Sequence, residues 1–241
     1  MRLPDHLGLA LVARYACHGL MVGAALLNEA RPAPTLPDRV LDALPYVEWV
    51  ARHNYHLWVL LYFPPALWLW RRDRAAFAHF LYVGALLSLL RGLCVPLTGL
   101  GPPLGPDVNA GVDGATLWQA WLAIINPISA LTGDAAHVHL TKDLFFSGHT
   151  ATTFLLWLYC RGRGALASFA LVAHLLVVAV VLLSRLHYTI DVVGAWAITY
   201  CAFALTRERW PWARHFAAHR APVGSPSGRP PPARSAPEPT P

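Results

Sequence analysis

The chain has 241 residues, of which 56% are hydrophobic and only 13% are charged. An average soluble domain carries about 25% charged residues, so this composition excludes an ordinary water-soluble protein. The formal charge of +6 does not indicate nucleic-acid binding, because the basic residues flank apolar segments, where membrane topology explains them.

Six apolar blocks, each near the roughly 20 residues that a helix needs to cross a bilayer, follow one another along the chain. In chain order they are Leu7–Leu27, Tyr55–Trp70, Phe77–Leu97, the segment after residues 147–150 up to Cys160, Ala165–Leu183 and His187–Leu205. Lipid cannot satisfy backbone hydrogen bonds, so each block is expected to be helical. The predicted fold class is therefore all-α, a bundle of six transmembrane helices.

Three other segments are read from composition. Arg14 interrupts the first block and no small-residue cleavage site follows, which favours a retained helix over a signal peptide. Leu117–Leu131 is short and contains Asn126 and Pro127, so it should lie at the interface or dip into the membrane and return. A membrane domain over residues 1–220 precedes a Pro/Arg-rich tail, 221–241, which is predicted to be disordered.

The distribution of positive charge predicts an orientation. Most of the 19 Lys and Arg residues lie before the first block, between the second and third, between the fourth and fifth, or after the sixth. The positive-inside rule makes this side cytoplasmic and places both termini there. The loops after the first, third and fifth blocks then share the non-cytoplasmic face. Lys142 is the sole lysine, and a preference for arginine is typical of GC-rich genomes, which favours a bacterial inner membrane.

The first candidate motif is Ser147-Gly148-His149-Thr150, where a non-cytoplasmic loop enters the fourth helix. Ser147 is a natural N-cap, and Gly148 lets a ligand approach the backbone closely. Unpaired amides and the positive end of the helix dipole favour a phosphate at this position. Asp143, one turn earlier, could bind a cationic head group or could simply be a carboxylate at a helix start.

The second candidate motif surrounds His187 and Asp191, which are four residues apart and therefore share one face of a helix. The carboxylate can hold the imidazole in one tautomer. Arg185 offers a planar donor fork suited to phosphate oxygens, and Tyr188 is a further candidate for substrate binding. Ionisable groups at membrane depth are costly and usually functional, so His149, His187 and Asp191 together predict an active site.

Together the two motifs, SGHT at 147–150 and HYTIDVVGA at 187–195, resemble the type 2 phosphatidic acid phosphatase (PAP2) superfamily. They are more closely similar to its sphingomyelin synthase and inositol phosphorylceramide synthase branch. Leu36-Pro37-Asp38 resembles that branch's Pro-Leu-Pro-Asp loop, and Arg91 stands where the branch often has an arginine, which makes it a candidate for substrate binding. The resemblance spans roughly residues 35–200 and implies a PAP2-like bundle.

The resemblance also implies roles. His187 would be the nucleophile that attacks phosphorus, Asp191 would orient it, and His149 would protonate the departing alkoxide. An imidazole, with an ordinary pKa of about 6.5, suits these roles near neutral pH. Arg185 and the amides at 147–148 would stabilise the negative charge that builds on the phosphate oxygens.

The implied activity is a lipid phosphotransferase that moves a phospho-head-group from a glycerophospholipid to a lipid alcohol, ceramide or diacylglycerol, through a phosphohistidine. Two alternatives stay open: a phosphatase or phosphodiesterase that transfers to water, and a non-catalytic lipid-binding or scrambling protein. The phosphatases' Lys-rich first motif, which ends in Arg-Pro, is missing, and this disfavours simple phosphate monoesters. Thr141-Lys142 stand where the synthases often have Cys-Gly, which allows a different head-group preference.

The scheme requires no cofactor and no metal. His137 and His139 have a spacing found in metal ligands, but no further ligand type lies near them in the sequence. His18 and His174 fall within predicted helices, where packing or interhelical hydrogen bonding is the expected role.

Overall fold

A computed structural model describes residues 4–126 and 140–209 of the chain. Within these two ranges all regular structure is helical, which agrees with the predicted all-α class. The helices, in chain order, are α1 (Pro4–Glu29), α2 (Arg39–Ala43), α3 (Glu48–Arg72), α4 (Arg74–Thr98), α5 (Gly114–Ile125), α6 (Gly148–Cys160), α7 (Ala165–Leu183) and α8 (Thr189–Arg209).

Every predicted apolar block is helical except for the first two residues of the sixth, His187 and Tyr188, but within the described ranges only α1, α4, α7 and α8 are long and apolar enough to cross a membrane. These four helices indicate an integral membrane protein. α3 carries Pro64 and Pro65 in its interior and begins in a polar segment. α6 has 13 residues and is therefore about 20 Å long, which is shorter than the roughly 30 Å of a hydrocarbon core. The count of six crossings thus stays a prediction.

The connections between helices meet at two ends of the bundle, as alternating crossings require. At one end the Arg163 guanidinium, after α6, donates to the Asp73 carboxylate between α3 and α4 at 2.7 Å. At the other end the Gly101 N–H, after α4, donates to the Pro34 carbonyl, after α1, at 2.7 Å. The Tyr188 hydroxyl, after α7, donates to the Gly101 carbonyl at 3.0 Å. The loops after α1, α4 and α7 therefore lie together, as expected of loops on one membrane face.

The described part of the Leu117–Leu131 segment enters the bundle beside α1. Near the start of α5 the Gly111 N–H donates to the Ala30 carbonyl at 2.9 Å, at the loop end of α1. At the end of α5 the Tyr15 hydroxyl, near the middle of α1, donates to the Ile125 carbonyl at 2.6 Å. α5 therefore runs antiparallel to α1 to about half its depth, while residues 127–131 lie outside the described ranges.

The chain is back at the loop end of the bundle by Lys142. Its N–H donates to the buried Glu29 carboxylate at 2.5 Å, and its ammonium donates to the Arg31 carbonyl at 2.7 Å and to Asp107 at 2.6 Å. The Asn109 amide also donates to Glu29, at 2.8 Å. α5 leaves this end of the bundle and Lys142 lies at it, while the residues between them, 127–139, lie outside the described ranges, so the course expected of the Leu117–Leu131 segment stays a prediction. The contacts of Lys142 also fix the loop that leads into α6.

Candidate active site

His187 and Asp191 form a buried pair at the start of α8. The Asp191 carboxylate accepts the Tyr188 N–H at 2.8 Å, as an acidic side chain does when it reaches back to cap a helix. The same oxygen, Oδ2, lies 3.4 Å from His187 Nδ1. This separation exceeds a standard hydrogen bond, and such pairs are often long before substrate binds. His187 precedes the first helical residue, Thr189, so the two side chains lie close together without sharing a helix face, and Nδ1 forms no hydrogen bond among the described residues.

His149 faces His187 from the first turn of α6. The two imidazole centroids are 6.4 Å apart, and both rings line a cavity of about 450 Å³. The Ser147 hydroxyl accepts the Thr150 N–H at 3.3 Å, so Ser147 is the predicted N-cap. The Trp58 indole packs edge-on against the His149 ring, with centroids 5.4 Å apart. Two imidazoles at this separation can flank one phosphorus atom.

Direct contacts hold the two motifs together. The Ser147 N–H donates to the Asp191 carbonyl at 3.1 Å, which joins the start of α6 to the first turn of α8. A Cβ at Gly194 would lie 2.5 Å from the Phe145 ring, so glycine leaves the space in which this ring, from the loop before α6, packs against α8. The glycine in HYTIDVVGA therefore has a packing role close to the two histidines.

Arg91 of α4 binds the loop that leads into α6. Its Nε donates to the Phe146 carbonyl at 2.6 Å, Nη2 to the Asp143 carbonyl at 2.7 Å and Nη1 to the Asp143 carboxylate at 2.8 Å. A Cβ at Gly148 would lie 3.3 Å from the guanidinium carbon, so glycine lets the cation lie against the start of α6. Arg91, Asp143 and Gly148 all line the cavity. An ion pair as buried as this one contributes more to position than to net stability.

Arg185 and Tyr188 are placed elsewhere. Neither lines the cavity that contains the two histidines. The Arg185 backbone is left-handed, with φ of 56°, and its guanidinium donates to the Leu44 carbonyl at 2.8 Å. The buried Tyr188 hydroxyl accepts the Leu36 N–H and donates to Gly101, each at 3.0 Å. The phosphate fork predicted at Arg185 and the substrate contact predicted at Tyr188 therefore do not match the geometry, because the turn before α8 directs both side chains toward neighbouring loops.

Asp38, in the loop after α1, holds the turn that carries His187. Its carboxylate accepts the Thr189 N–H at 2.6 Å and the Thr189 hydroxyl at 3.0 Å. It also accepts the Val40 and Leu41 amides, which begin α2. Burial alone would raise the pKa of Asp38, but these hydrogen bonds outweigh it and lower the pKa below its ordinary value. The carboxylate is thus ionised at neutral pH and the turn stays fixed.

A second set of hydrogen bonds supports His149 from behind. The Trp196 indole, which can only donate, donates to His174 Nε2 at 2.9 Å, so the proton of a neutral His174 lies on Nδ1. His174 Nδ1 and the Thr153 hydroxyl are 2.9 Å apart, and that hydroxyl donates to the His149 carbonyl at 3.0 Å. The interhelical hydrogen bonding expected of His174 is present and ties α6, α7 and α8 together.

Among the cavity residues that the sequence-based prediction of the site missed are two with basic side chains. Arg14 and His18, both on α1, line the same cavity as the histidines. The Arg14 guanidinium donates to the Ser88 hydroxyl of α4 at 2.8 Å. His18 Nδ1 is buried and has no hydrogen-bond partner among the residues that the structure describes, so of the two roles expected of His18 these contacts show packing and no interhelical hydrogen bond at Nδ1. An arginine inside an apolar block was the available signal, because such residues usually mark a functional path.

Several predictions concern residues outside the described ranges. His137 and His139 fall between residues 126 and 140, and the tail at 221–241 follows residue 209. The metal-like spacing of His137 and His139 and the disorder expected of the tail therefore remain predictions.

Comparison with known proteins agrees with the motifs. Residues 142–208 match the family model described as PAP2 superfamily C-terminal, and this range contains both histidines and Asp191. Over 181 residues the chain is 29% identical to phosphatidylcholine:ceramide cholinephosphotransferase 2 from Homo sapiens, and equally so to the same enzyme from Macaca fascicularis. The alignments cover 69% of this chain and 48% of each relative, so the chain spans about half the length of the curated relatives it matches. These matches confirm that the chain resembles the sphingomyelin synthase-like branch of the PAP2 superfamily, a family of lipid phosphotransferases and phosphatases.

Proposed function

We propose that the chain is a lipid phosphotransferase that moves a phospho-head-group from a glycerophospholipid to a lipid alcohol such as ceramide. The observation that carries this proposal is the pair of imidazoles, His149 and His187, which are 6.4 Å apart across one cavity. The buried carboxylate of Asp191 behind one of them supports different roles for the two rings. The similarity to cholinephosphotransferases supports a lipid substrate with a zwitterionic head group.

In the first half of the proposed reaction, His187 Nε2 attacks phosphorus and the bond from phosphorus to the glycerol oxygen breaks. His149, protonated at the outset, gives its proton to that oxygen, and diacylglycerol leaves. Asp191 accepts from Nδ1–H of His187 and stabilises the positive charge that the ring gains. The product is a phosphohistidine that still carries the head group.

In the second half, His149 is a general base. It takes the proton from the hydroxyl of the acceptor, whose oxygen attacks phosphorus as the bond from phosphorus to nitrogen breaks. His187 returns to its neutral form and the head group is bound to the acceptor. The acceptor therefore decides the product: ceramide or diacylglycerol gives transfer and water gives hydrolysis.

In this proposal, Arg91 and the first amides of α6, including that of Gly148, stabilise the negative charge on the non-bridging phosphate oxygens. Arg91 lines the cavity and is already fixed by Asp143 and Phe146, so little reorganisation is needed as charge develops. Asp143 Oδ1 is buried and has no partner among the described residues, which suits a contact with the cationic head group. Ser147 contributes as the cap that fixes the amides.

Apolar side chains line the cavity between the histidines and the middle of the bundle, among them Phe80, Leu87 and Leu155. This lining suits acyl chains. We further propose that the site opens on the non-cytoplasmic face of a bacterial inner membrane, with both termini cytoplasmic, because the basic loops lie at the opposite end. The scheme uses no metal and no cofactor.

Hydrolysis is the second candidate function. The superfamily whose C-terminal model matches residues 142–208 includes phosphatases, and the same two histidines would serve if water were the acceptor. A non-catalytic lipid binder or scramblase is the third, since a lipid-sized cavity alone suits such a protein.

An acceptor assay separates these functions. In mixed micelles that contain head-group-labelled phosphatidylcholine or phosphatidylethanolamine, the purified protein should transfer label to ceramide, because an acceptor hydroxyl is needed to discharge the phosphohistidine. Diacylglycerol release should rise about tenfold or more when ceramide is added, as expected of a transferase that discriminates against water. Water-soluble label released at the same rate with and without ceramide would establish hydrolysis instead. Lipid movement between leaflets that survives His187→Ala, with no product formed, would establish the non-catalytic reading.

A further inference from the structure

Arg14 and His18 of α1, the α1 polar pair, lie deeper in the cavity than the two histidines. Arg91 marks the level of the proposed phosphate, and its Nη1 lies 3.1 Å from the sulfur of Met21 on α1. The backbone of Arg14 is about two helical turns farther along α1, away from the loop end of the bundle, but its guanidinium reaches back to Ser88, which is one turn from Arg91 on α4. A lipid whose phosphate lies at Arg91 would have its glycerol esters between that level and Arg14.

The α1 polar pair has hydrogen-bonding capacity that its protein contacts do not use. A guanidinium has five N–H donors, and the Ser88 hydroxyl accepts one from Arg14 at 2.8 Å. No carboxylate that the structure describes lies within 4 Å of the Arg14 guanidinium, and His18 Nδ1 is buried without a partner in the same ranges. An arginine in the middle of an apolar helix is costly unless it is paired or faces a polar ligand.

Space for this arginine comes from a glycine. A Cβ at Gly84 of α4 would lie 3.1 Å from Arg14 Nε and 3.2 Å from its Cδ. Gly84, Ser88 and the α1 polar pair all line the cavity that reaches His149 and His187. The guanidinium is thus held against α4 with its remaining donors at the wall of the lipid cavity.

We infer that the α1 polar pair binds the ester carbonyls of the glycerolipid donor. Carbonyl oxygens are uncharged acceptors that occur at this depth in a glycerolipid, only a few bonds from phosphorus, whereas the phosphate itself belongs at the level of Arg91. The contact would fix the lipid along the cavity, so that phosphorus lies between the two histidines. This inference rests on the proposed phosphotransferase function and adds the chemical group that the donor must carry.

Donor lipids that differ only in their carbonyls test the inference. With ceramide as acceptor, kcat/KM is measured for a diacyl phosphatidylcholine and for its dialkyl ether analogue of equal chain length, at equal mole fraction in mixed micelles. The wild-type protein should prefer the diacyl lipid by about tenfold, as expected for a hydrogen bond to a charged donor. In Arg14→Met the preference should fall to within about twofold, and the loss should fall on the diacyl lipid. Arg161→Met, an exposed arginine at the opposite end of the bundle, should keep the wild-type preference.

The outcomes are distinct. Equal turnover of the two lipids by the wild-type protein would overturn the inference. This outcome does not depend on whether Arg14→Met folds. Equal losses for both lipids in Arg14→Met would assign Arg14 a purely structural role between α1 and α4. Failure of the wild-type protein to turn over either lipid would instead contradict the proposed function, and the inference with it.

Discussion

Replacing His187 with alanine should lower head-group transfer by about a thousandfold or more, because His187 is, among the described residues that line the cavity, the histidine with a carboxylate behind it and hence the proposed nucleophile. His187 lines the cavity and has the buried carboxylate of Asp191 behind it. His149 lacks such a carboxylate partner among the contacts that the structure describes, so it should not substitute as nucleophile. The measurement is the initial rate with labelled phosphatidylcholine and ceramide.

An activated donor separates the roles of the two histidines. With p-nitrophenyl phosphocholine the leaving group needs no proton, so the burst of nitrophenolate should largely survive in His149→Ala and vanish in His187→Ala. His53→Ala, an exposed histidine on α3 that stacks on Trp49, is the matched control and should retain the wild-type rate. A burst that survived in His187→Ala and vanished in His149→Ala would reverse the assigned roles.

Asp191→Asn should lower kcat by roughly 10² to 10⁴, the range known for loss of an orienting carboxylate beside a catalytic histidine. The asparagine can still accept the Tyr188 N–H through its amide oxygen, so the start of α8 should be preserved. It cannot stabilise the positive charge on His187, and its amide group can present a donor to Nδ1. The variant should therefore fold, bind lipid and react slowly.

Asp113→Asn is the matched control for this substitution. Asp113 also caps a helix with its carboxylate, although from the N-cap position, where it accepts the Ala115 and Thr116 amides of α5; it is exposed and does not line the cavity. Its rate should stay within about twofold of the wild-type rate, because a surface carboxylate contributes little to chemistry elsewhere. Equal losses in Asp191→Asn and Asp113→Asn would show that capping, and not the pairing with His187, explains the effect.

The sequence predicted the elements that depend on local pattern. Apolar blocks predicted the long helices α1, α4, α7 and α8. The block that starts at Tyr55 also predicted α3, but this helix begins earlier, at Glu48. The first turns of α3 are polar, and an ion pair between Glu48 and Arg52, one turn apart, stabilises the helix there. Hydropathy alone could not show that extension.

Within the candidate site, spacing predicted the His187–Asp191 pair because four residues make just over one helical turn and so bring two side chains to one face. It could not predict the direction of the turn before α8, and so it assigned Arg185 to the phosphate and Tyr188 to substrate binding, although both contact other loops. Sequence spacing also could not predict contacts between residues that are far apart along the chain. Asp38 and Thr189 meet only once α1, α2 and α8 are packed together.

Arg14 illustrates a different limit. Its position inside an apolar block marked it as unusual, but the sequence offered no way to know that α1 packs along α4 with Gly84 beside the guanidinium. The same packing brings Ser88 to the arginine and opens the cavity to both. The apolar pattern of the sequence singled out Arg14, and the packing of α1 against α4 suggested its proposed role as a contact for the donor lipid.

The stereochemical course at phosphorus tests the central claim most directly. A donor phosphatidylcholine whose phosphorus is made chiral by one sulfur atom would be converted with ceramide, and the configuration of the product determined. Two successive in-line displacements, first by His187 and then by the acceptor hydroxyl, predict that the configuration is retained. Inversion would mean that the acceptor attacks phosphorus directly in one displacement, and it would contradict the phosphohistidine account.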